Sequence, residues 1–256
     1  MLFQLVDEVV RRISALDPAR EAPAFADQLR RHVPALVQSR PPGVPEAAAS
    51  RAVETIALVC LKEIRKIPDS VSQMTALLRE PTVNPAVACV FVAILAYLVQ
   101  PRDLIPDDTP GGYGFLDDYV LLRAGEIEWL STQPGRAAQI AELQKGIGIL
   151  AALAPAAAKP HLQGAVNELS QFLQIMAMMP QEMQLLTIQM IVANPLAGGM
   201  PQAPPGFVAA PGVPVGGFAP TMSWEGAHTW QDGGMMGVNF PGGGGVAADA
   251  SGVYVL

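Results

Sequence analysis

The sequence predicts an all-α protein, a multi-helix bundle that contains a helical hairpin and is followed by a disordered tail. Through residues 1–198, apolar side chains recur at three- and four-residue spacing with almost no strand-like alternation, and prolines separate the runs. The last 58 residues contain fourteen Gly and seven Pro, and that composition without a period is typical of low complexity. We therefore divide the chain into an N-terminal helical region (1–82), a hairpin (83–125), a C-terminal helical region (126–198) and a flexible tail (199–256).

The N-terminal region begins with an amphipathic helix, because "MLFQLVDEVVRRISAL" places six apolar side chains on one face. Asp17-Pro18 ends this helix, since the residue before a proline avoids the helical conformation. A weaker helix is predicted from about Ala24 to Val37. After the breaker "SRPPGVP", Pro45 and Glu46 open a long helix with proline at its start.

The most apolar segment lies between Pro85 and Pro101. Its residues 86–99 are fourteen consecutive apolar side chains, so as a helix it has to be buried on every side. The fifteen residues 86–100 would rise about 22 Å, whereas the hydrocarbon core of a bilayer is about 30 Å thick, so the segment is too short to span it. Three environments remain open: the centre of a bundle, a re-entrant hairpin in a membrane with residues 116–122 as its second arm, or an oligomer interface.

An acidic turn, "PRDLIPDDTPGGYGFLDD", follows this segment. Pro101 ends the helix, and Leu104 returns an apolar side chain toward the core. We expect Asp117 and Asp118, in the first turn of the next helix, to accept hydrogen bonds from free backbone N–H groups there. The other aspartates are expected to cap the turn or to pair with Arg102 and Arg123. The residues that specify the turn are Pro101, Asp103, Leu104, Pro106, Asp107, Gly114, Asp117 and Asp118.

The turn and its flanks resemble the YkvA-like family, a small bacterial domain of unknown function. The matching residues are Tyr97, Leu98, Pro101, Asp103, Leu104, Ile105, Pro106, Asp107, Pro110, Gly114, Leu116, Asp117 and Asp118, within about 83–125. The resemblance implies a helical hairpin, often in proteins that look membrane-associated, and it implies no established activity. This chain departs from the pattern at Asp108-Thr109 and in its glycine-rich "GGYG", where such loops look more apolar and tighter.

The aspartates of the turn also raise the question of a metal site. An EF-hand loop that starts at Asp107 is excluded, because its third and fifth ligand positions are Thr109 and Gly111. If the hairpin brings Asp103, Asp107 and Asp117 together, these carboxylates would suit Mg²⁺ or Ca²⁺. The alternative is that they only cap and brace the turn. We predict no organic cofactor.

Charge and motif content disfavour two functional classes. The net charge is −7 with a pI near 4.9, and no basic stripe is present, so we predict no nucleic-acid binding. The three histidines, His32, His161 and His228, are scattered along the chain, and no serine or cysteine is paired with them in a nucleophile motif. We therefore predict no catalytic residues. Cys60 and Cys89 lie within apolar helical patterns and are predicted to be buried free thiols.

Asp7 and Glu8 interrupt the apolar N-terminus, which disfavours a secretory signal and predicts a cytoplasmic or membrane-associated protein. In the tail, Trp224, Trp230, Phe240 and Tyr254 are candidates for docking or self-association. The Met-rich stretch 174–192 suits either a core or an adaptable partner surface.

Together these features predict a non-catalytic intracellular adaptor or assembly protein that binds a protein partner or itself. One alternative is a peripheral or monotopic membrane protein anchored by the hairpin. A second is a metal-dependent enzyme that uses the aspartate turn.

Overall fold

The computed structural model describes residues 1–34, 36, 45–101 and 103–197, and in the tail the backbone of 227–231, 235–239, 245–249 and 252–255. These residues form nine α-helices, one 3-10 helix and four strands. The helices are α1 Leu2–Ser14, α2 Pro18–His32, α3 Glu46–Ile64, α4 Ile67–Leu77, α5 Pro85–Leu98, the 3-10 helix Pro110–Phe115, α6 Leu116–Ser131, α7 Ala137–Ala152, α8 Lys159–Met178 and α9 Gln181–Ala193.

Helix α1 follows its apolar pattern, and a side-chain cap sets the start of α2. α1 buries Leu2, Val6, Val9 and Ile13 along one face, as its pattern predicts. α2 begins at Pro18, earlier than predicted, because the Asp17 carboxylate accepts a hydrogen bond from the Ala19 N–H at 3.0 Å and caps the helix. A proline in the first turn has no N–H to leave unpaired, so it strengthens this start.

α5 lies at the centre of the bundle. The Asn84 side chain accepts a hydrogen bond from the Ala86 N–H at 2.9 Å and caps its start. Twelve of its fourteen residues are buried, and helices α1, α6, α8 and α9 contact it. The uninterrupted apolar run is therefore covered by other helices of the same chain.

α6 packs back against α5, so the predicted helical hairpin is present. The two helices approach closely at Gly125, where an added Cβ would lie 2.0 Å from Ile94 Cδ1. Further along, the rings of Phe91 and Trp129 meet edge to face with centroids 6.4 Å apart. The buried side chains of all the helical regions form one hydrophobic core, and the all-α class is confirmed for the helical body.

The tail contains four short strands, β1 Ala227–Gln231, β2 Met235–Asn239, β3 Gly245–Asp249 and β4 Gly252–Val255. They pair antiparallel in the order β1-β2-β3-β4, and β2, β3 and β4 contact α3. Composition alone did not predict these strands, because the signal lies in spacing: runs of four or five residues alternate with glycine-containing segments. Residues 198–226 of the tail lie outside the described part of the chain.

Candidate functional site

The acidic turn folds back tightly on itself between α5 and α6. Gly111 has a φ of 76°, a left-handed conformation that favours glycine, and an added Cβ there would lie 2.3 Å from the Phe25 backbone nitrogen in α2. At Gly114 an added Cβ would lie 2.4 Å from the Pro106 carbonyl oxygen. The first approach packs the turn against α2, and the second brings Pro106 beside the residues that lead into α6.

Asp117 ties the two helices of the hairpin together. Its Oδ2 accepts hydrogen bonds from the Tyr97 hydroxyl at 2.7 Å and from the Ile105 N–H at 3.2 Å. The Tyr97 oxygen in turn accepts the Leu104 N–H at 3.3 Å. We expected Asp117 and Asp118 to cap the amides of their own helix, but α6 has no side-chain cap. Asp117 instead accepts the Ile105 N–H of the folded turn.

Asp103, Asp107 and Asp118 form a cluster that we call the carboxylate triad. One side-chain oxygen from each lies within 4.8 Å of the other two. Asp107 Oδ2 also accepts a hydrogen bond from Arg12 Nη1 at 3.0 Å, and the Arg12 guanidinium lies 5.4 Å from the centroid of the Phe115 ring. The turn is therefore anchored to α1 as well as to α2 and α5.

The arginine side chains that we expected to pair with the aspartates of the turn are not the ones that do so. Arg123 pairs with Glu126 at 2.6 Å and donates to the Ser70 hydroxyl at 2.8 Å, so it faces α4 rather than the aspartates. Arg102 lies outside the described residues. Arg12 was not predicted as a partner, because it is 95 residues from Asp107 in sequence and no local pattern joins the two.

Burial dominates the electrostatics of the four aspartates. It raises the pKa of Asp103 to about 8, with the charges of Asp117 and Asp107 adding to the rise. It raises the pKa of Asp117 to about 6, against the hydrogen bond from Tyr97. The pKa of Asp118 is raised well above its usual range by burial and by the charges of Asp117 and Asp103. Burial also raises the pKa of Asp107, and the Arg12 charge opposes this.

Most carboxylate oxygens of this cluster have no hydrogen-bond partner. Within the described residues, the buried oxygens of the four aspartates without a hydrogen bond of good geometry are Asp103 Oδ1 and Oδ2, Asp107 Oδ1, Asp117 Oδ1 and Asp118 Oδ1 and Oδ2; the N–H groups of Asp103 and Ile105 still lower the pKa of Asp103. Native proteins rarely leave buried polar atoms unpaired. Such oxygens can accept a proton, a water or a hard cation, and an oxygen-only set of this kind suits Mg²⁺ or Ca²⁺.

The sequence-based candidates and the structure differ by one residue. We expected Asp117 to join Asp103 and Asp107, but Asp118 completes the triad while Asp117 is held by Tyr97 and Ile105. Adjacent helical residues point about 100° apart, so the path of the turn decides which of them faces it. The remaining motif residues support the turn. Leu104 is half-buried against the core, and Pro101 and Pro106 are exposed where the backbone changes direction.

A second surface stands out at α9. Among the described residues, all eight exposed large hydrophobic side chains lie at the start of α1 or between residues 178 and 196; they are Met1, Phe3, Met178, Met183, Leu185, Leu186, Met190 and Leu196. Met190 is 65% exposed and Leu186 is 47% exposed. We call the outward side of α9 the α9 face. Beside it runs a groove of about 410 Å³, lined by Phe3, Leu185 and other apolar side chains.

The Met-rich stretch is thus both core and surface. Its first half, in α8, buries Ile175 and Met176, whereas Met183 and Met190 in α9 are exposed. The two free thiols, Cys60 and Cys89, are buried as predicted.

The tail candidates lie only in part within the described residues. Trp230 is on β1 and Tyr254 on β4, the two edge strands of the sheet. Trp224 and Phe240 lie outside the described part of the chain. Their role in docking stays a prediction.

The hairpin is similar to a known family of domains. A family model described as protein of unknown function (DUF1232) matches residues 87–123, which agrees with the YkvA-like resemblance of the turn. No match to the chain was found among curated proteins or among solved structures. In the described portion of the chain, none of the helices has both the length and the apolar composition needed to cross a bilayer.

Proposed function

We propose that this chain is a non-catalytic assembly protein that associates with a second copy of itself through the α9 face. The observation that carries this proposal is the cluster of large apolar side chains that α9 exposes. Only Gln184 of its thirteen residues is fully buried, although the helix contains Met183, Leu185, Leu186 and Met190. A soluble monomer rarely exposes large apolar side chains in one cluster, and such a cluster normally marks an interface.

Charge favours a second copy as the occupant of this face. In residues 160–197 the charged side chains are Glu168 and Glu182, and the sequence has no Lys or Arg after Lys159. A surface that docks on anionic lipid usually carries Lys or Arg beside its apolar side. Glu182, in the first turn, is the one charged residue of α9, so an antiparallel two-fold pairing of the α9 faces places the two Glu182 carboxylates at opposite ends of the interface.

The side chains on this face also suit such a pairing. Met183 and Met190 have flexible, polarizable thioether chains that adapt to an irregular partner surface. The groove beside α9 offers space for an apolar side chain of the second copy, since Phe3, Val92 and Ile188 line it. The face and the groove together form one continuous apolar surface.

The test is the oligomeric state of the full chain. Sedimentation velocity over a concentration series is expected to show a monomer–dimer equilibrium. The double variant Leu186→Glu/Met190→Glu is expected to raise the dimer Kd at least tenfold, since burying two carboxylates in an apolar interface costs more than about 1.4 kcal/mol. At concentrations below the dimer Kd its melting temperature is expected to stay close to that of the unmodified chain, because both side chains are exposed in one copy.

The matched control is Ala138→Glu/Gln139→Glu, which adds the same charge at two exposed positions of α7 and is expected to leave the dimer intact. A chain that is monomeric at every concentration contradicts the proposal. So does flotation with lipid vesicles that the α9 variant abolishes, because lipid would then be the occupant of the face.

A further inference from the structure

The carboxylate triad is separate from the α9 face, because it lies in the hairpin turn and involves no exposed apolar surface. Asp103 and Asp107 come from the start of the turn, and Asp118 comes from the first turn of α6. Their oxygens converge to within 4.8 Å. The Gly114 backbone packs against Pro106 and Asp107, so the backbone of the turn, and not only its side chains, holds Asp107 close to the start of α6.

Acidic residues often cluster without binding anything, but Asp118 provides an independent reason to expect a ligand. Its residue is only 2% exposed, and within the described residues neither of its carboxylate oxygens has a hydrogen-bond partner. Asp117 beside it is 0% exposed, and its Oδ1 is likewise unpartnered. Burying an unpaired carboxylate is strongly unfavourable, so an interaction that satisfies these oxygens would stabilise the fold.

The hydrogen bonds and charges within the site leave buried carboxylate oxygens without a partner in the described part of the chain. Arg12 brings one positive charge and bonds Asp107 Oδ2, while Asp107 Oδ1 stays unpartnered. Tyr97 and the Ile105 N–H bond Asp117 Oδ2, and within the triad the backbone N–H groups of Asp103 and Ile105 favour only the Asp103 carboxylate. Each of the three carboxylates therefore has at least one oxygen without a side-chain partner among the residues described, and one oxygen of each lies within 4.8 Å of the other two.

We propose that Asp103, Asp107 and Asp118 bind one hard divalent cation, Mg²⁺ or Ca²⁺, which fastens the start of the turn to the first turn of α6. Oxygen-only ligands are the set that these cations prefer. Ligands on opposite sides of an ion lie about 4.1 Å apart for Mg²⁺ and about 4.9 Å apart for Ca²⁺, so oxygens within 4.8 Å of one another suit Ca²⁺ as they stand, and Mg²⁺ would draw them closer together. Because Asp107 and Asp118 are buried, the cation has a structural role in this proposal and is not exposed to a substrate.

The experiment uses the full chain after dialysis against EDTA. Thermal unfolding is followed in MgCl₂, in CaCl₂ and in NaCl of matched ionic strength, and the same ions are titrated by calorimetry. At a hundredfold excess over Kd, a cation that binds only the folded state is expected to raise the melting temperature by about 5 to 10 °C. Calorimetry is expected to show one ion per chain, and the ion with the larger shift identifies the preferred cation.

Asp118→Asn keeps the shape of the side chain and removes its charge. Without added cation this variant is expected to melt at or above the temperature of the unmodified chain, because an unpaired buried charge is gone. The shift with MgCl₂ or CaCl₂ is expected to be lost. Asp108→Asn is the matched control, since Asp108 lies in the same turn but is exposed, and this variant is expected to keep the full shift.

Three results would overturn the proposal. The first is equal melting temperatures in MgCl₂, CaCl₂ and NaCl with no heat of binding, because the triad would then hold protons rather than a metal. The second is a cation-induced shift that Asp118→Asn retains, since the ion would then be bound elsewhere. If Asp118→Asn does not fold, Asp103→Asn takes its place, and a retained shift in that variant is the third contradicting result.

Discussion

Gly111→Ala is expected to destabilise the chain by about 3 kcal/mol or more, one of the largest effects that a single methyl group can have in this fold. Two causes add. The φ of 76° is strained for a residue with a side chain, which costs about 1 to 2 kcal/mol. The new Cβ would also lie 2.3 Å from Phe25 N and 2.8 Å from Ala24 C, so the backbone of α2 has to move. Urea denaturation measures the loss.

Substitutions at two other glycines distinguish the backbone strain from the steric clash. Gly135 has the same φ of 76° but nothing within 4 Å of its added Cβ, so Gly135→Ala is expected to lose only about 1 kcal/mol. Gly164 lies inside α8 with open space around it, and Gly164→Ala is expected to gain about 0.5 to 1 kcal/mol from helix propensity. If Gly111→Ala lowers the free energy of unfolding no more than Gly135→Ala does, the turn does not pack tightly against α2.

Phe91→Asp is expected to unfold the chain. Phe91 is 0% exposed in the middle of α5, so the change removes a large buried ring and places a carboxylate where no partner is available. Replacing a buried Phe with Ala costs about 3 to 5 kcal/mol, and an unpaired buried charge adds to that. The sum is comparable to the total stability of about 5 to 15 kcal/mol that a domain has. Circular dichroism of the purified variant detects the loss of cooperative unfolding.

The matched control is Phe3→Asp, since Phe3 is 38% exposed at the start of α1. This variant is expected to fold with a melting transition near that of the unmodified chain. A Phe91→Asp variant that folds as a soluble monomer would mean that α5 is covered by lipid or by another chain, not by its own helices.

Much of the fold could be predicted from the sequence because its signals are local. Fourteen consecutive apolar residues can only be buried, and Asn84, Pro85 and Pro101 mark where that helix begins and the turn follows. The hairpin followed from the turn motif, and Gly125 shows how closely its helices meet. Local periodicity and caps suffice for such features, since they depend on neighbours in sequence.

The parts that could not be predicted depend on residues far apart in sequence. Arg12 reaches Asp107 only because α1 packs beside the turn. Asp118 rather than Asp117 completes the triad, because Asp117 is hydrogen-bonded to Tyr97. Similarly, α8 and α9 have similar compositions, and only their positions in the bundle make the first a core helix and the second a surface helix.

The central claim is that α5 is enclosed by helices of its own chain and that the acidic turn folds α6 back against it. Native-state hydrogen exchange on the full chain, in buffer without detergent or lipid, tests this claim most directly. The backbone amides of residues 89–98 in α5 are expected to exchange only through global unfolding, together with those of residues 120–130 in α6. Rapid exchange across α5 while α6 stays protected would contradict the account, because it would show an apolar helix that its own chain leaves uncovered.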